Sequence, residues 1–267
     1  MYLALPNKSI DFSYHRRRMV KGSDSSDDFP KRDMHPEYEL LLALDSGVSY
    51  AIENQKYKLS PYALLIIPSN AYHYPIPEPP YTGYYDRYML RCNCSYADAS
   101  LLHSVFRHPA CYQLTADHPI VLNFRQLHEF AQSDIPEYKD LMLKTVCNKI
   151  LLDIYLFQKT ALSDAATPTA SYPVLAYIEE NLASIRSVDQ IAEHFFLSPS
   201  TLAHQFRSRM GISLMKYIRQ KRLLLAYSLL RKGEKPLTVA AMCGFREYTT
   251  FYKAYTGHFG FPPSKKD

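Results

Sequence analysis

Between residues 36 and 75 the apolar positions come in short runs cut at regular intervals, and these runs predict β-strands. YELLLALDSG is an apolar run closed by a turn, VSYAIENQKYKL alternates about ENQK as a hairpin does, and YALLIIP stops at Pro68. Turn signals recur about every ten residues, a spacing that suits a small antiparallel barrel or sandwich. YYDRYMLRC continues the β pattern, and from ADASLLHSVF onward the period becomes helical. Residues 137–160 place Leu141, Leu143, Val146, Ile150, Leu151, Ile154 and Phe157 at helical spacing. So wide a stripe serves either packing on the β region or a helix-mediated homodimer.

A small, polar, proline-containing stretch at 163–172 has the composition of a linker, and all that follows is helical in period. One unit occurs there twice. In SVDQIAEHFFLSPSTLAHQFRSRMG, Ser187 caps a short helix bearing Ile191, Ala192 and Phe195, and Ser198 caps a second with Leu202, Phe206 and Met210 at i, i+4, i+8. In PLTVAAMCGFREYTTFYKAYTGHFG, Val239, Ala240 and Met242 mark the first helix and Phe251, Tyr255 and Phe259 the second. Two short helices around a tight break are the helix-turn-helix pattern, expected here at about 187–210 and 236–259. Residues 213–233 join the units as one long helix of about 20 residues, roughly 30 Å, against about 34 Å for a turn of DNA.

Charge sharpens this division. The 267-residue chain carries a net +5, but residues 1–165 hold 17 basic against 19 acidic side chains, whereas residues 166–267 hold 14 against 7. A +7 region on a near-neutral body points to a polyanion, nucleic acid first. Opposite the buried stripes lie Ser200, Thr201, His204, Arg207 and Ser208 in one unit and Thr249, Thr250, Lys253 and Thr256 in the other. These short polar and cationic faces suit base edges and phosphates. Arg219 and Arg222 on the connecting helix are further phosphate candidates.

With 47% apolar and 21% charged residues, disordered, collagen-like and coiled-coil readings fall away. No secretory signal or membrane-length apolar run occurs, and the five cysteines form neither a disulfide framework nor a zinc motif, so a reducing cytoplasm with no membrane partner is expected. Cys92 and Cys94 read as strand-end positions rather than metal ligands. Glycine is scarce: three of the eight, Gly211, Gly244 and Gly260, fall at the breaks of the helical units, while the turns at ENQK and PYA have none.

The run from Ile191 to Leu230, followed by VAAMCGFREYTTFYKAYTGHFGFPP, resembles the C-terminal region of AraC/XylS-type transcriptional regulators. Its most specific pieces are Gly244–Phe245, the FG-x-x-P of Phe259 to Pro263 and the RL-x-x-A of Arg222 to Ala226. Thr256 and Gly257 stand where members usually carry a basic pair, which implies a weaker phosphate grip in that half. The resemblance implies an α+β chain: a cupin-like antiparallel β-barrel with helices, then an all-α domain of two helix-turn-helix units joined by a long helix. An effector-binding and dimerisation domain would span 1–162, with its barrel at about 10–95 and helices at about 97–160, and a DNA-binding domain 173–267. Double-stranded DNA, a small-molecule effector, a second copy through helix 137–160 and RNA polymerase are the implied partners.

HPEYELLLALDSG, with His35, Glu39 and Gly47, resembles the first cupin motif, and PYALLIIPSNAYH, with Pro61, Pro68 and His73, the second. Asp33 stands where metal-binding cupins usually have His, and Tyr62 and Asn70 where Gly is common. His35, Glu39 and His73 are a tolerable metal trio on chemistry alone. A metalloenzyme with an accessory helical domain would use them as ligands; a sensor would use them to hydrogen-bond a polar effector such as a sugar. With one ligand lost and a DNA-binding region attached, the expectation is a sensor, with no catalytic residue, cofactor or metal. His35, Glu39, His73, Tyr38 and Tyr72 are its candidate effector-binding residues, within a tyrosine-rich stretch that also holds Tyr74, Tyr81, Tyr84, Tyr85 and Tyr88. Structural histidines satisfied by neighbouring strands remain the alternative.

Overall fold

The computed structural model describes residues 2–4, 10–18, 33–79, 84–94, 97–132, 136–160 and 172–264. The chain is α+β and divides into two compact units, Met1–Thr167 and Pro168–Asp267. The linker residues 163–171 and Tyr81 lie outside the described residues; Tyr172 belongs to the second unit, where its ring packs 6.2 Å from Phe206.

The first unit holds two antiparallel sheets. One runs β1 (Tyr2–Ala4), β2 (Ile10–Arg18), β8 (Tyr84–Cys92), β3 (Tyr38–Ala43), β6 (Ala63–Ile67) and β9 (Ala110–Gln113). The other runs β5 (Gln55–Lys58), β4 (Val48–Ile52) and β7 (His73–Pro77), and an isolated Asp33–His73 bridge ties onto it. Helices α1 (Ala99–Val105), α2 (Pro119–Gln132) and α3 (Lys139–Thr160) follow.

The large sheet is covered on both faces, which explains its unbroken apolar runs. Leu40, Leu42, Leu64, Ile66 and Leu90 pack with Phe124, Leu143, Ile150 and Ile154 of the helices. Leu41, Ala43, Leu65, Ile67 and Met89 point the other way and pack with Val48, Tyr50 and Ile52 of the small sheet. Side chains alternate, so this parity assigns every residue of the paired strands to one layer. The turns without glycine adopt left-handed backbone on ordinary residues: Glu53 (φ +51), Tyr62 (φ +66) and Asn70 (φ +62). Of the stripe expected on α3, Leu141 departs: it is 63% exposed, outside the face that meets the sheet.

The second unit is helical: α4 (Pro173–Asn181), α5 (Val188–His194), α6 (Pro199–Met210), α7 (Leu214–Arg231), α8 (Pro236–Met242) and α9 (Tyr248–Phe259). Helix α7 serves both halves. Its Tyr217 packs 5.4 Å from Phe206 of α6, while Leu223 and Ala226 join Val239, Ala240, Phe251 and Tyr255 in a second core. Cys243 rather than Met242 completes that core, Met242 being 47% exposed. No helix among the described residues is long and apolar enough to cross a membrane.

Candidate nucleic-acid interface and barrel site

The two helix pairs break in the same way, but only the first has side-chain caps, Lys235 and Glu247 before α8 and α9 making none. Ser187 Oγ accepts from the Gln190 N–H at 3.4 Å and Ser198 Oγ from the Thr201 N–H at 3.1 Å, satisfying helix-start donors. After α5 the turn passes through Phe196 (φ +55), with the Leu197 N–H donating to the Ala192 carbonyl at 2.9 Å. After α8 it passes through Gly244 (φ +80), with the Phe245 N–H donating to the Ala240 carbonyl at 3.0 Å. The same 6→1 closure sets both breaks, so α6 and α9 leave their partner helices by the same turn.

Burial of Leu202, Phe206 and Met210 turns Ser200, Thr201, His204, Arg207 and Ser208 outward, and all five are exposed. The hydroxyls of Ser200 and Thr201 also lie 3.0 and 2.7 Å from the Ser198 hydroxyl, which pre-orients them at the start of α6. On α9, burial of Phe251 and Tyr255 leaves Thr249, Thr250 and Lys253 exposed. Thr256 departs from the expected outward face: it sits in the last turn, where the chain reverses at Gly260, and its hydroxyl is buried.

Arg219 is exposed, but Arg222 departs from its expected role. Its guanidinium is half-buried and donates to the carbonyls of Leu182, at 2.9 Å, and Ile185, bracing α7 against the end of α4. Burial, with Arg186 next, holds its pKa below the usual guanidinium value. A cleft of about 820 Å³ gathers Lys216 and Arg219 of α7, Thr250 of α9, and Arg186 and Arg246 from the loops, with Glu247 as its one acid. Arg186 and Arg246 escaped the sequence reading because they sit in breaks, where no period marks a face. Arg186 also donates to the carbonyl of Gly244 at 3.1 Å.

The profile of a helix-turn-helix domain family matches residues 191–266. The C-terminal unit is an AraC-type helix-turn-helix domain. Over 90 residues, 33% of this chain and 36% of the relative, the chain is 37% identical to the probable transcriptional regulator LumQ of Photobacterium leiognathi. Over 152 residues, 55% of this chain and 54% of the relative, it is 30% identical to the HTH-type transcriptional activator RhaS of Escherichia coli O139:H28. The chain thus spans from about a third to about half the length of the curated relatives it matches. Among solved structures, ToxT from Vibrio cholerae aligns with a TM-score of 0.41 at 12% identity, over 96% of this chain and 97% of that one. In this AraC-type domain, α6 and α9 hold the recognition position of their helix pairs.

In the first unit the cupin-motif residues do meet. His35 Nε2 lies 3.0 Å from Glu39 Oε2, its Nδ1 3.3 Å from Glu37, and the His73 ring centroid 5.0 Å from that of His35. Asp33, His35 and His73 each place one donor atom within 4.8 Å of the others. Arg91 closes the group: its Nε donates to Glu39 at 2.7 Å and its Nη2 lies 3.8 Å from Asp33. Burial opposes charge on His35, but Glu37 and Glu39 outweigh it and raise its pKa to about 9. Burial likewise works against the Glu39 carboxylate, yet His35, Arg91 and His73 hold its pKa below the usual range. The His73 Nδ1 donates to the Ala71 carbonyl at 2.9 Å, which leaves its Nε2 facing Glu39 at 4.0 Å.

Tyr38 and Tyr72 are not brought into this cluster by any of these contacts. Tyr38 pairs with Cys92 in the sheet and so faces the helices, its ring 5.0 Å from Phe106. This corrects its assignment to the effector, because its parity is that of Leu40 rather than of Glu39. Tyr72 is fully buried in the loop before β7, its N–H held by Glu53 at 3.0 Å.

Proposed function

We propose that this protein is a cytoplasmic, sequence-specific DNA-binding transcriptional regulator controlled by a small-molecule effector in its N-terminal unit. The repeated helix pair carries the reading: two units with the same turn expose Ser200, Thr201, His204, Arg207 and Ser208 on one helix and Thr249, Thr250 and Lys253 on the other, in a region of net +7. The names of LumQ and RhaS support it. Helix α7, with 18 residues, is about 27 Å long, which lets two recognition helices address neighbouring major grooves. Lys216, Arg219 and Arg246 supply cations for the backbone between them.

Tyr138, Leu141, Leu152 and Leu156 form an exposed apolar stripe along the start and length of α3, and we assign it to a homodimer contact. The effector, a sugar being one candidate, acts by differing affinity for two arrangements of that dimer, and RNA polymerase is the downstream partner.

The test is quantitative footprinting of the full chain on genomic sites selected by the protein itself. His204→Ala and Lys253→Ala should each weaken operator binding without lowering the unfolding temperature, and affinity should fall steeply from about 50 to 200 mM salt. Unchanged affinity in both variants, or a flat salt response, contradicts the proposal.

The donor set of Asp33, His35 and His73 favours a second reading, a cupin-type metalloenzyme. Arg91 and a protonated His35 already neutralise the carboxylates there, which weighs against a cation. Elemental analysis of the purified chain decides: stoichiometric iron, manganese or zinc supports the enzyme.

A further inference from the structure

The register of β2, β8 and β3 lines the space between the sheets with polar groups. Asp11 pairs with Arg91, Ser13 with Met89 and His15 with Arg87, and across β8 the same residues meet Glu39, Leu41 and Ala43. Directly paired residues share a face, so Arg87 and Arg91 project into the layer of Leu41, Val48, Tyr50, Leu65, Tyr85 and Met89.

The two arginines have opposite fates. Arg91 is paired with Glu39 and Asp33. Arg87 is only 5% exposed, and its Nε and Nη1 are buried with no hydrogen-bond partner among the described residues. It lies over the Tyr85 ring at 4.4 Å, and the Tyr85 hydroxyl, also buried, is likewise unpartnered. Opposite it stands Ala43 on one side and, on the other, His15, whose side chain is tied to Ser13 at 2.9 Å. Two guanidinium nitrogens buried without an acceptor leave charged donors stripped of water and uncompensated. A ring face offsets part of that cost but offers no oxygen to the fork of donors.

We infer that the N-terminal unit binds an organic carboxylate, whose two oxygens pair with Arg87 and whose charge is further met by the Tyr85 hydroxyl. The inference rests on the effector-sensor reading and narrows it: a neutral sugar offers Arg87 hydroxyl acceptors but no counter-charge, whereas a sugar acid or a fatty or aromatic acid offers both. Leu41, Val48, Leu65 and Met89 are buried in the same layer as Arg87, so the body of such an acid would meet aliphatic side chains.

Matched pairs test it on the full chain. Thermal unfolding is followed with glucuronate against glucose and hexanoate against hexanol, with inorganic phosphate alongside. At least one carboxylate should raise the N-terminal transition where its neutral partner does not. Its apparent Kd should weaken tenfold or more in Arg87→Gln, less in Arg87→Lys, and about threefold in Tyr85→Phe. Should Arg87→Gln fail to fold, the lysine and phenylalanine variants carry the comparison. Equal shifts from acid and neutral partner, an undiminished shift in the Arg87 variants, a shift from phosphate alone, or none from any compound overturns the carboxylate assignment. Operator affinity measured with the same compounds separates the two readings: Arg87-dependent binding that leaves DNA affinity unchanged keeps the anion site and overturns the sensor.

Discussion

The Nε of Arg222 donates to the carbonyl of Leu182 at 2.9 Å, which makes this arginine a brace between α7 and the end of α4. Arg219, one turn earlier on α7, is exposed, and although both residues line the basic cleft only Arg222 is half-buried against the loop carbonyls. The two residues should therefore separate in experiment. Arg222→Ala removes a charged donor from two carbonyls and should cost the C-terminal unit about 1–3 kcal/mol, read from its unfolding transition. Arg219→Ala should leave that transition within about 0.5 kcal/mol and reduce the slope of log affinity against log salt by about 1. Equal loss of stability in both variants would remove the distinction.

Gly244 is a second position where backbone geometry decides. Its φ is +80, and a β-carbon there would overlap the carbonyl of Ala183, a backbone atom that cannot swing aside. Gly244→Ala should destabilise the C-terminal unit by about 2 kcal/mol or more and so weaken DNA binding indirectly. The corresponding turn of the first pair reaches the same region with Phe196, whose side chain is 96% exposed. Phe196→Ala should leave stability within about 0.5 kcal/mol, because nothing packed is lost. Circular dichroism melts of the two variants compare the turns directly.

These contrasts show what the sequence carried. Leu202 with Phe206 and Phe251 with Tyr255 recur at helical spacing, so the faces of α6 and α9 were legible as soon as the stripes were seen. The runs around Leu41 and Leu65 were legible as strands because both their faces are buried. Strand parity was not: Tyr38 and Glu39 are neighbours in sequence and lie in different layers. Nor does periodicity separate Arg219 from Arg222, since exposure on a short turn of α7 depends on which loop carbonyls stand opposite. Arg87 was silent for the same reason, its isolation being a property of β2, β3 and β8 together. Gathering of His35, Glu39 and His73 was implied by the resemblance of their segments to cupin motifs, but Arg91 as the cation that closes the group was not.

The exposed stripe on α3 makes a prediction about association. Leu152 and Leu156 are 48% and 53% exposed, on a helix whose opposite side buries Ile150 and Ile154 against the sheet. Leu152→Arg with Leu156→Arg should convert a dimer to a monomer in sedimentation equilibrium while leaving the unfolding temperature of the monomer nearly unchanged. A wild-type chain that sediments as a monomer at tens of micromolar, or an undisturbed dimer in the variant, would place the contact elsewhere.

His35 sets a pH dependence for the first unit. Burial opposes its charge, but Glu37 and Glu39 raise its pKa to about 9, whereas in the unfolded chain it returns to 6.5. The folded state therefore keeps a proton that the unfolded state has lost between those values, and stability falls as pH rises through that window. The contribution is fully present below about pH 6.5, is on the order of 3 kcal/mol, and is gone above about pH 9. Urea unfolding of the chelator-treated chain at pH 6.5, 7.5, 8.5 and 9.5 should show a declining N-terminal midpoint. In His35→Gln, which keeps a donor for Glu39 but does not titrate, the midpoint should start lower and lose most of this slope. A wild-type midpoint that stays level across the series would mean that His35 is neutral beside Glu39, with Arg91 alone balancing the buried carboxylate.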